Sequence, residues 1–392
     1  MLFRNTEIRR FQTKAKDPLH FLYASTFGLF RVKLVRLVSI FTLVFHSVIS
    51  CAFFCEMLYS FDPNLLIEYG PMIFIFGSGV MAIAVFFYIE QNGRLLLRQS
   101  VGRLWNFDSS SNLYKKMKLE SKYILQVVHF NNFLGVCMVF FHLPAGGQSD
   151  KVFYGINLFR RILPQHLNFL KQIYYSTFPI LTYMVTVNPY LLLYASSHMK
   201  FQVCYVNELL VKMTKDYKDI DYNLLRNEKY QKTVTLGLKN CIHRHAILKF
   251  MDKKLNKLIH WPLLILMALS VVAIISLLFI AIVTRQDVHV PSFGATMIFG
   301  IVTNSLAVYS GQEVINESMK SLSCAGTSRW TSWNFFNRKM LVIFMTNAQK
   351  PFILQSPFFV CEFAFVIKAL KFVSSVCGLF FEVARRRDLG EL

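Results

Sequence analysis

The residues of this chain that could do chemistry are few, and the most telling lie where charge is least expected. The apolar run CEFAFVIKALKFVSSVCGLFFEVA, residues 361–384, carries Glu362, Lys368, Lys371 and Glu382. Charges at membrane depth are costly and face water or a partner. Lys368, Lys371, Ser375, Leu379 and Glu382 follow one another at steps of three or four, which puts all of them on one helix face. Val366, Phe372, Val373, Val376 and Phe380 fill much of the rest. One polar stripe on an otherwise apolar helix fits a wall of a water-filled path. A single helix cannot enclose a pore, so several subunits would each supply one. A plainer reading stays open, in which the lysines snorkel to an interface or pair with Glu362 inside one subunit.

Other chemistries lack their parts. His243 and His245 stand two apart on a helical pattern, so they point to different faces, and no carboxylate cluster accompanies them. Cys51 and Cys55 sit inside an apolar run without His or Asp partners, and the eight cysteines read as small packing or lipid-facing residues. There is no Gly-rich phosphate loop and no nucleophile elbow. We therefore expect no catalytic residues, no metal site and no cofactor. The net charge of +21 first suggests nucleic acid. That charge is split into blocks between apolar runs, and no base-contacting module is present, so no nucleic-acid partner is expected.

The elements that must position these residues follow from composition. Apolar residues make up 54% of the chain and charged residues 17%, with 39 phenylalanines. Lipid solvates that much apolar surface more readily than a soluble core can hide it. The expected fold is an all-α membrane protein with seven transmembrane helices. The predicted spans run from Leu37 to Leu58, Leu65 to Ile89, Tyr123 to Leu143, Tyr174 to Ser196, Trp261 to Thr284, Pro291 to Tyr309 and Phe358 to Val383. A shorter apolar piece, Met340 to Thr346, precedes the last. Pro179 and Asn188-Pro189 interrupt the fourth.

Basic residues set the orientation. Arg4, Arg9, Arg10, Lys14, Lys16, Arg31, Lys33 and Arg36 precede the first span, and Arg94, Arg98, Arg103, Lys115, Lys116 and Lys118 join the second to the third. The stretch from Lys200 to Lys257 is dense in lysine, whereas the fifth-to-sixth link has only Arg285 and Asp287. Positive charge marks the cytoplasmic side, so the N-terminus is expected inside and the C-terminus outside. Arg385, Arg386 and Arg387 oppose that rule. The basic, polar start MLFRNTEIRRFQTKAKDP shows no cleavable signal peptide. On this plan residues 1–36 are a cytoplasmic segment and 37–199 hold helices one to four. Residues 200–259 are cytoplasmic helical extensions, 260–309 helices five and six, 310–357 an extension and the approach to helix seven, 358–383 the pore-lining helix and 384–392 an extracellular tail. VNELLVKM and LKNCIHRHAILKFMDKKLNKLI space their apolar residues three and four apart, as either a helix on lipid headgroups or a packed subunit interface would. The stretch AVYSGQEVINES, 307–318, then leaves the bilayer on the cytoplasmic side, where the sequon Asn316-Glu317-Ser318 would stay unmodified.

The last third of the chain resembles the insect odorant receptor family. An apolar sixth span runs into Tyr309-Ser310-Gly311-Gln312-Glu313-Val314, followed by Glu317-Ser318, as in that family's tyrosine, small-residue, Gly-Asn-Glu-Leu and Glu-Ser pattern. Trp330 follows at the family's tryptophan position. Met345-Thr346-Asn347-Ala348-Gln349-Lys350-Pro351 resembles its Met-x-x-Ala-Gln-Lys-Pro block, and His245 its fifth-helix start. Phe365, Lys371 and Ser375 fall on the final helix's pattern.

The resemblance implies a ligand-gated, poorly selective cation channel: a heterotetramer of tuning subunit and coreceptor Orco in the plasma membrane of olfactory dendrites. Small volatile odorants are its ligands. It also implies a cytoplasmic anchor formed by extensions of helices four to seven. By alignment of the last helix, Leu379 falls at the aliphatic gate and Glu382 toward the outer mouth. A ring of aliphatic side chains blocks ions by dewetting. The chain lacks the coreceptor's long insertion between helices four and five, which makes it a tuning subunit. Four copies of Lys368 and Lys371 would repel cations, which favours a heteromer. His245, Tyr309, Gly311, Gln312, Glu313, Trp330, Gln349 and Pro351 are the expected anchor and coupling residues. Expected pocket residues, in the outer half of helices two to six, are Ile73, Phe76, Phe133, Val136, Phe140, Tyr175, Phe178, Tyr183, Phe293 and Met297. Tyr175 and Tyr183 would each offer a hydrogen bond, and Pro179 would open the fourth helix. A gustatory receptor and a membrane transporter are the alternatives.

Overall fold

The computed structural model describes residues 17–104, 111–215, 221–279, 281–282 and 289–388. The basic residues Arg4, Arg9, Arg10, Lys14 and Lys16, and the link residues Arg285 and Asp287, lie outside them. Ten helices of nine residues or more carry the described fold: α1 Lys33–Ser60, α2 Pro63–Leu104, α3 Asn112–His142, α4 Tyr154–Ile162, α5 Leu167–Ser176, α6 Phe178–Lys215, α7 Glu228–Phe279, α8 Val290–Gly326, α9 Phe335–Ala348 and α10 Phe363–Asp388. Seven helical stretches are long and apolar enough to cross a membrane. They correspond to α1, α2, α3, α6, α7, α8 and α10, in the order expected of the seven spans.

Local chemistry sets the turns. Phe61 adopts a left-handed conformation (φ 49°) that ends α1, and its N–H reaches Met57 O at 3.1 Å. Asp62 Oδ1 then accepts from Asn64 N at 2.9 Å, with Pro63 as the first helical residue of α2. An acidic cap followed by proline is a strong helix start. Ser111 caps α3 through Tyr114 N, and Asn334 caps α9 through Asn337 N.

The bundle has two ends. At the end that we call the crown, α1 meets α2, and the α3–α6 connection with α4 and α5 lies over the top. At the other end, the base, α6, α7 and α8 run on beyond the length a bilayer needs. The 52 residues of α7 span about 78 Å at 1.5 Å per residue, against a hydrocarbon core of about 30 Å. The expected helical extension of the fourth and fifth spans is thus one continuous rod on each side. Prolines inside α2, α6 and α7 (Pro71, Pro189 and Pro262) do not end them, since neighbouring helices and side chains can satisfy the freed carbonyls.

Two elements differ from the sequence expectation. The segment before α1, for which no structure was predicted, is packed from residue 17 onward. Its short helical turns bury Leu22, Phe27 and Phe30, with Phe30 ringed against Phe86 at 4.2 Å, and the Tyr183 hydroxyl donates to Ser25 O. The apolar string LHFLYASTFGLF was the available signal. The last helix begins at Phe363, not Phe358. Residues 354–361 turn back on themselves, with Cys361 N on Leu354 O at 2.8 Å and Ser356 N on Phe359 O at 2.9 Å. Glu362 therefore stands in the turn before the helix rather than within it.

Candidate functional site

Three features of the bundle bear on function: a cavity toward the crown, a polar knot at the base, and the last helix itself. The cavity is walled by α2, α3, α6, α7 and α8 and is partly open to the outside. Its roof is aromatic. Phe76 and Phe178 line it with ring centroids 5.0 Å apart, and Phe153 and the fully buried Tyr174 pack behind them. Such rings offer large apolar area in fixed geometry. Small residues open the space: a methyl placed on Gly79 would lie 2.9 Å from Leu181 Cδ2.

The polar groups of this cavity are few. The His142 ring donates from Nδ1 to Met138 O at 2.8 Å, which leaves Nε2 as an acceptor 3.5 Å from the Thr296 hydroxyl. Thr303 donates to Asn131 Oδ1 at 3.1 Å, and Asn131 Nδ2 donates to the Tyr190 hydroxyl at 3.0 Å. That chain ties α8, α3 and α6 together behind the cavity. No sequence signal pointed to His142, Asn131 or Thr303, because each has its role only through a partner at least 59 residues away.

Of the residues expected in the pocket, Phe76 and Phe178 line this cavity. Ile73 is buried in the core away from it. Phe133, Val136 and Phe140 are corrected by the structure: they are 62%, 67% and 50% exposed and face outward from α3, whose opposite side carries Met138, Val139 and His142. Hydropathy cannot tell the two faces of a helix that is apolar all round. Phe293 and Met297 are half-buried near the start of α8 and do not line the cavity. The Tyr175 hydroxyl already donates to Asp150, as the Tyr183 hydroxyl does to Ser25 O, so neither has its proton free for a ligand. Pro179 lies in the first turn of α6, where no helical hydrogen bond is lost. The fourth span is interrupted at Thr177, between α5 and α6 and two residues before Pro179. There His46 Nε2 donates at 2.7 Å to the Thr177 hydroxyl, which itself donates to Tyr174 O at 2.6 Å.

The base holds the knot. Gly311 presses on the turn before α10. A Cβ there would meet Cys361 O at 2.2 Å, so only glycine fits. Gln312 Oε1 accepts from Phe363 N at 3.0 Å and so caps the first turn of α10. Glu313 accepts from Lys200 of α6, whose ammonium also donates to Glu120 of α3. Three consecutive residues of α8 thus grip α10, α6 and α3. Glu317 and Ser318 extend the grip: Asn207 Nδ2 donates to Glu317 Oε1 at 3.0 Å, and the Ser318 hydroxyl accepts from Phe352 N at 3.1 Å. His245 is buried between the rings of Phe344 and Phe352, at 5.2 and 5.3 Å. Tyr309 is 37% exposed, Pro351 is half-buried and Gln349 is exposed. Trp330 is 45% exposed, so the buried tryptophan of the base is Trp333, whose Nε1 donates to the Tyr230 hydroxyl at 3.0 Å. A spacing three residues apart separates them, and only packing chooses.

The last helix is bare. None of its apolar window is buried within the chain. It is attached along one side, with Phe380 against Phe279 of α7 at 5.2 Å and Phe365 stacked on Phe359 at 4.2 Å. Lys368, Lys371, Ser375 and Leu379 all lie on the exposed side. Among the described residues neither lysine has an acidic partner, Glu362 included. Glu382 is held by Arg385 and Arg386, each at 3.1 Å. No three His, Cys, Asp or Glu side chains converge as a metal site among the described residues.

The comparisons with known proteins agree with this architecture. The 7tm odorant receptor family matches residues 126–373. The fold is similar to the insect olfactory receptor OR5 from Machilis hrabei, with a TM-score of 0.66 at 12% identity over 89% of this chain and 88% of that one. The same receptor in complex with eugenol gives a TM-score of 0.60 at 12% identity over the same shares. No curated protein matches the sequence significantly. The matched stretch takes in the second half of α3, the cavity helices α6 to α8, the base knot apart from Glu120 and the first half of α10, which is over half of the chain: it belongs to the seven-transmembrane odorant receptor family.

Proposed function

We propose that this chain is the tuning subunit of an odorant-gated, nonselective cation channel, with the cavity as its odorant site and α10 as its share of the pore. The observation that carries the reading is the bare last helix. Its apolar window has no cover within the chain, and Lys368 and Lys371 of its polar stripe have no acidic partner among the described residues, so neighbouring subunits and a water path are the environment it fits. The cavity supports the ligand half of the reading. It is concave, mostly apolar, and supplied with a few polar groups, as small-molecule sites are. The Machilis relative is known in complex with eugenol, a small aromatic molecule.

Coupling runs through α8. Thr303 in the cavity wall and Gln312 at the α10 cap lie on one unbroken helix, about 13 Å apart along its axis. A ligand that shifts α8 moves the first turn of α10 with it. Leu379, exposed on the polar stripe, is the gate in this reading, closing the path by dewetting. The N-terminus and the base lie in the cytoplasm and the crown outside, as the basic blocks require. The partner is the coreceptor Orco in a heterotetramer in the plasma membrane of an olfactory dendrite, and the unpaired Lys368 and Lys371 favour a minority of such helices around one cation path.

The deciding measurement is voltage clamp of cells expressing the chain with and without the coreceptor, against volatile esters, alcohols, terpenes and aromatics. A ligand-evoked cation current only in the presence of the coreceptor is the expected result. A current carried by the chain alone and tied to a substrate gradient would replace this reading with a transporter.

A further inference from the structure

The cavity does not end at its floor. A second, partly open chamber continues toward the base and shares Ser78, Val185, Ser270, Thr303 and Asn304 with the first. Below that waist its wall is apolar with one exception, Asn188. This side chain is 94% buried, its residue being 6% exposed. Its Nδ2 donates to Ala82 O at 2.9 Å, which fixes the amide orientation, because a carbonyl can only accept. Asn188 Oδ1 is then left with no hydrogen-bond partner, the one such buried side-chain atom among the described residues. The next residue adds a second acceptor. Pro189 has no N–H, so the Val185 carbonyl at the waist lacks its helical donor.

The waist hydroxyls do not correct this imbalance. Ser78 donates to Ile75 O at 2.6 Å, Ser270 to Leu266 O at 2.8 Å and Thr303 to Asn131 Oδ1 at 3.1 Å, so each has spent its proton. Asn304 donates one amide hydrogen to Gly300 O at 2.8 Å and keeps one. The inner chamber thus offers more acceptors than donors. A buried acceptor left unmade is a larger penalty than a made bond is a gain.

We infer that the inner chamber is a second ligand subsite and that Asn188 selects small apolar molecules carrying a hydrogen-bond donor, alcohols or phenols, over ethers and esters of the same shape. The inference rests on the odorant-receptor reading and adds the ligand class. An alcohol or phenol can give its proton to Asn188 Oδ1 or Val185 O and accept from Asn304. An ether or ester oxygen can only accept, and it leaves Asn188 unpaired. Sites built to hydrogen-bond a hydroxyl reject analogues that lack it, whereas an added methylene changes binding little.

The test uses matched pairs in coreceptor-expressing cells: primary alcohols from butanol to decanol, para-alkylphenols, and the methyl ether of each. The unsubstituted receptor is expected to respond to each alcohol or phenol at about tenfold lower concentration than to its ether. Asn188→Leu should raise the alcohol's half-maximal concentration to the ether's and leave the ether's unchanged. Should that variant fail to reach the surface, Pro189→Ala decides, since it returns a donor to the Val185 carbonyl and should narrow the alcohol preference. Equal potency of alcohol and ether in the unsubstituted receptor, or variants that shift both alike, would overturn the inference while leaving the receptor reading standing. Silence to every compound would count against the receptor reading instead. The subsite is then judged on the purified chain in detergent: a larger rise in Tm with para-ethylphenol than with its methyl ether supports it, and equal rises overturn it.

Discussion

The central helix α6 and the last helix α10 are both apolar enough to span a membrane, yet 72% of the apolar window of the fourth span is buried inside the chain and none of the last. The fourth span is the post around which the other helices pack, and it lines both chambers. The last touches its own chain along one side and shows the rest. Ligand recognition is therefore built within one subunit, where packing fixes geometry, and the ion path is left to be completed by others. The two meet at the base, where Gly311, Gln312 and Glu313 join them, and along α7, where Phe380 packs on Phe279.

That contrast can be broken first at its joint. Gly311→Ala puts a Cβ 2.2 Å from Cys361 O, which is backbone and cannot give way. A loss of about 3 kcal/mol is expected, read as loss of surface expression. Gly378→Ala, in α10 with nothing within 4 Å of its Cβ, should leave expression intact and change only the current. Equal behaviour of the two variants would erase the distinction between packed and unpacked regions.

A smaller effect separates coupling from binding. Glu313→Ala leaves Lys200 with Glu120 alone, at a cost of about 1–2 kcal/mol. The maximal odorant-evoked current should fall while the rank order of odorants holds. A changed rank order would move Glu313 from coupling to recognition. Within the cavity, Phe178→Ala removes a lining ring and should shift half-maximal concentrations by about tenfold, unequally among odorants. Phe133→Ala, facing outward on α3, should shift them by less than about twofold, since exposed positions contribute within ±0.5 kcal/mol.

The smallest effect concerns the crown. Asp150 joins Lys171 and Tyr175 over the aromatic roof. Burial alone would raise its carboxyl, but the Lys171 and Tyr175 hydrogen bonds outweigh it and hold the group below its ordinary 3.8. A depressed acid contributes stability above its unfolded value and loses it as pH falls through the folded one. Odorant responses should thus be flat from about pH 5 to 8 and weaken only in stronger acid. The group is partly exposed, so solvent keeps its contribution small. A response that titrates near neutrality would point to another group.

Much of the fold was legible because its signals are local. Long apolar runs, helical spacing of apolar residues below the membrane and the polar stripe of the last helix are all properties of neighbours in sequence. Phe76 and Phe178 could be guessed as lining residues from their type and depth, and Gly311 from its place in a motif. Phe133, Val136 and Phe140 could not be sorted from Met138 and Val139, because both sets are apolar at the same depth and differ only in which helix stands opposite.

By itself the sequence determined the seven spans, the helical character of the base and the charges placed on the last helix, since lipid demands long apolar helices whatever surrounds them. Only the tertiary structure decided which faces turn inward, which hydroxyls are already engaged, that Trp333 rather than Trp330 is buried, and that Gln312 caps α10. Each of those depends on a partner far away in the chain, and a hydrogen bond or a packed ring exists only once both partners have been brought to the same place.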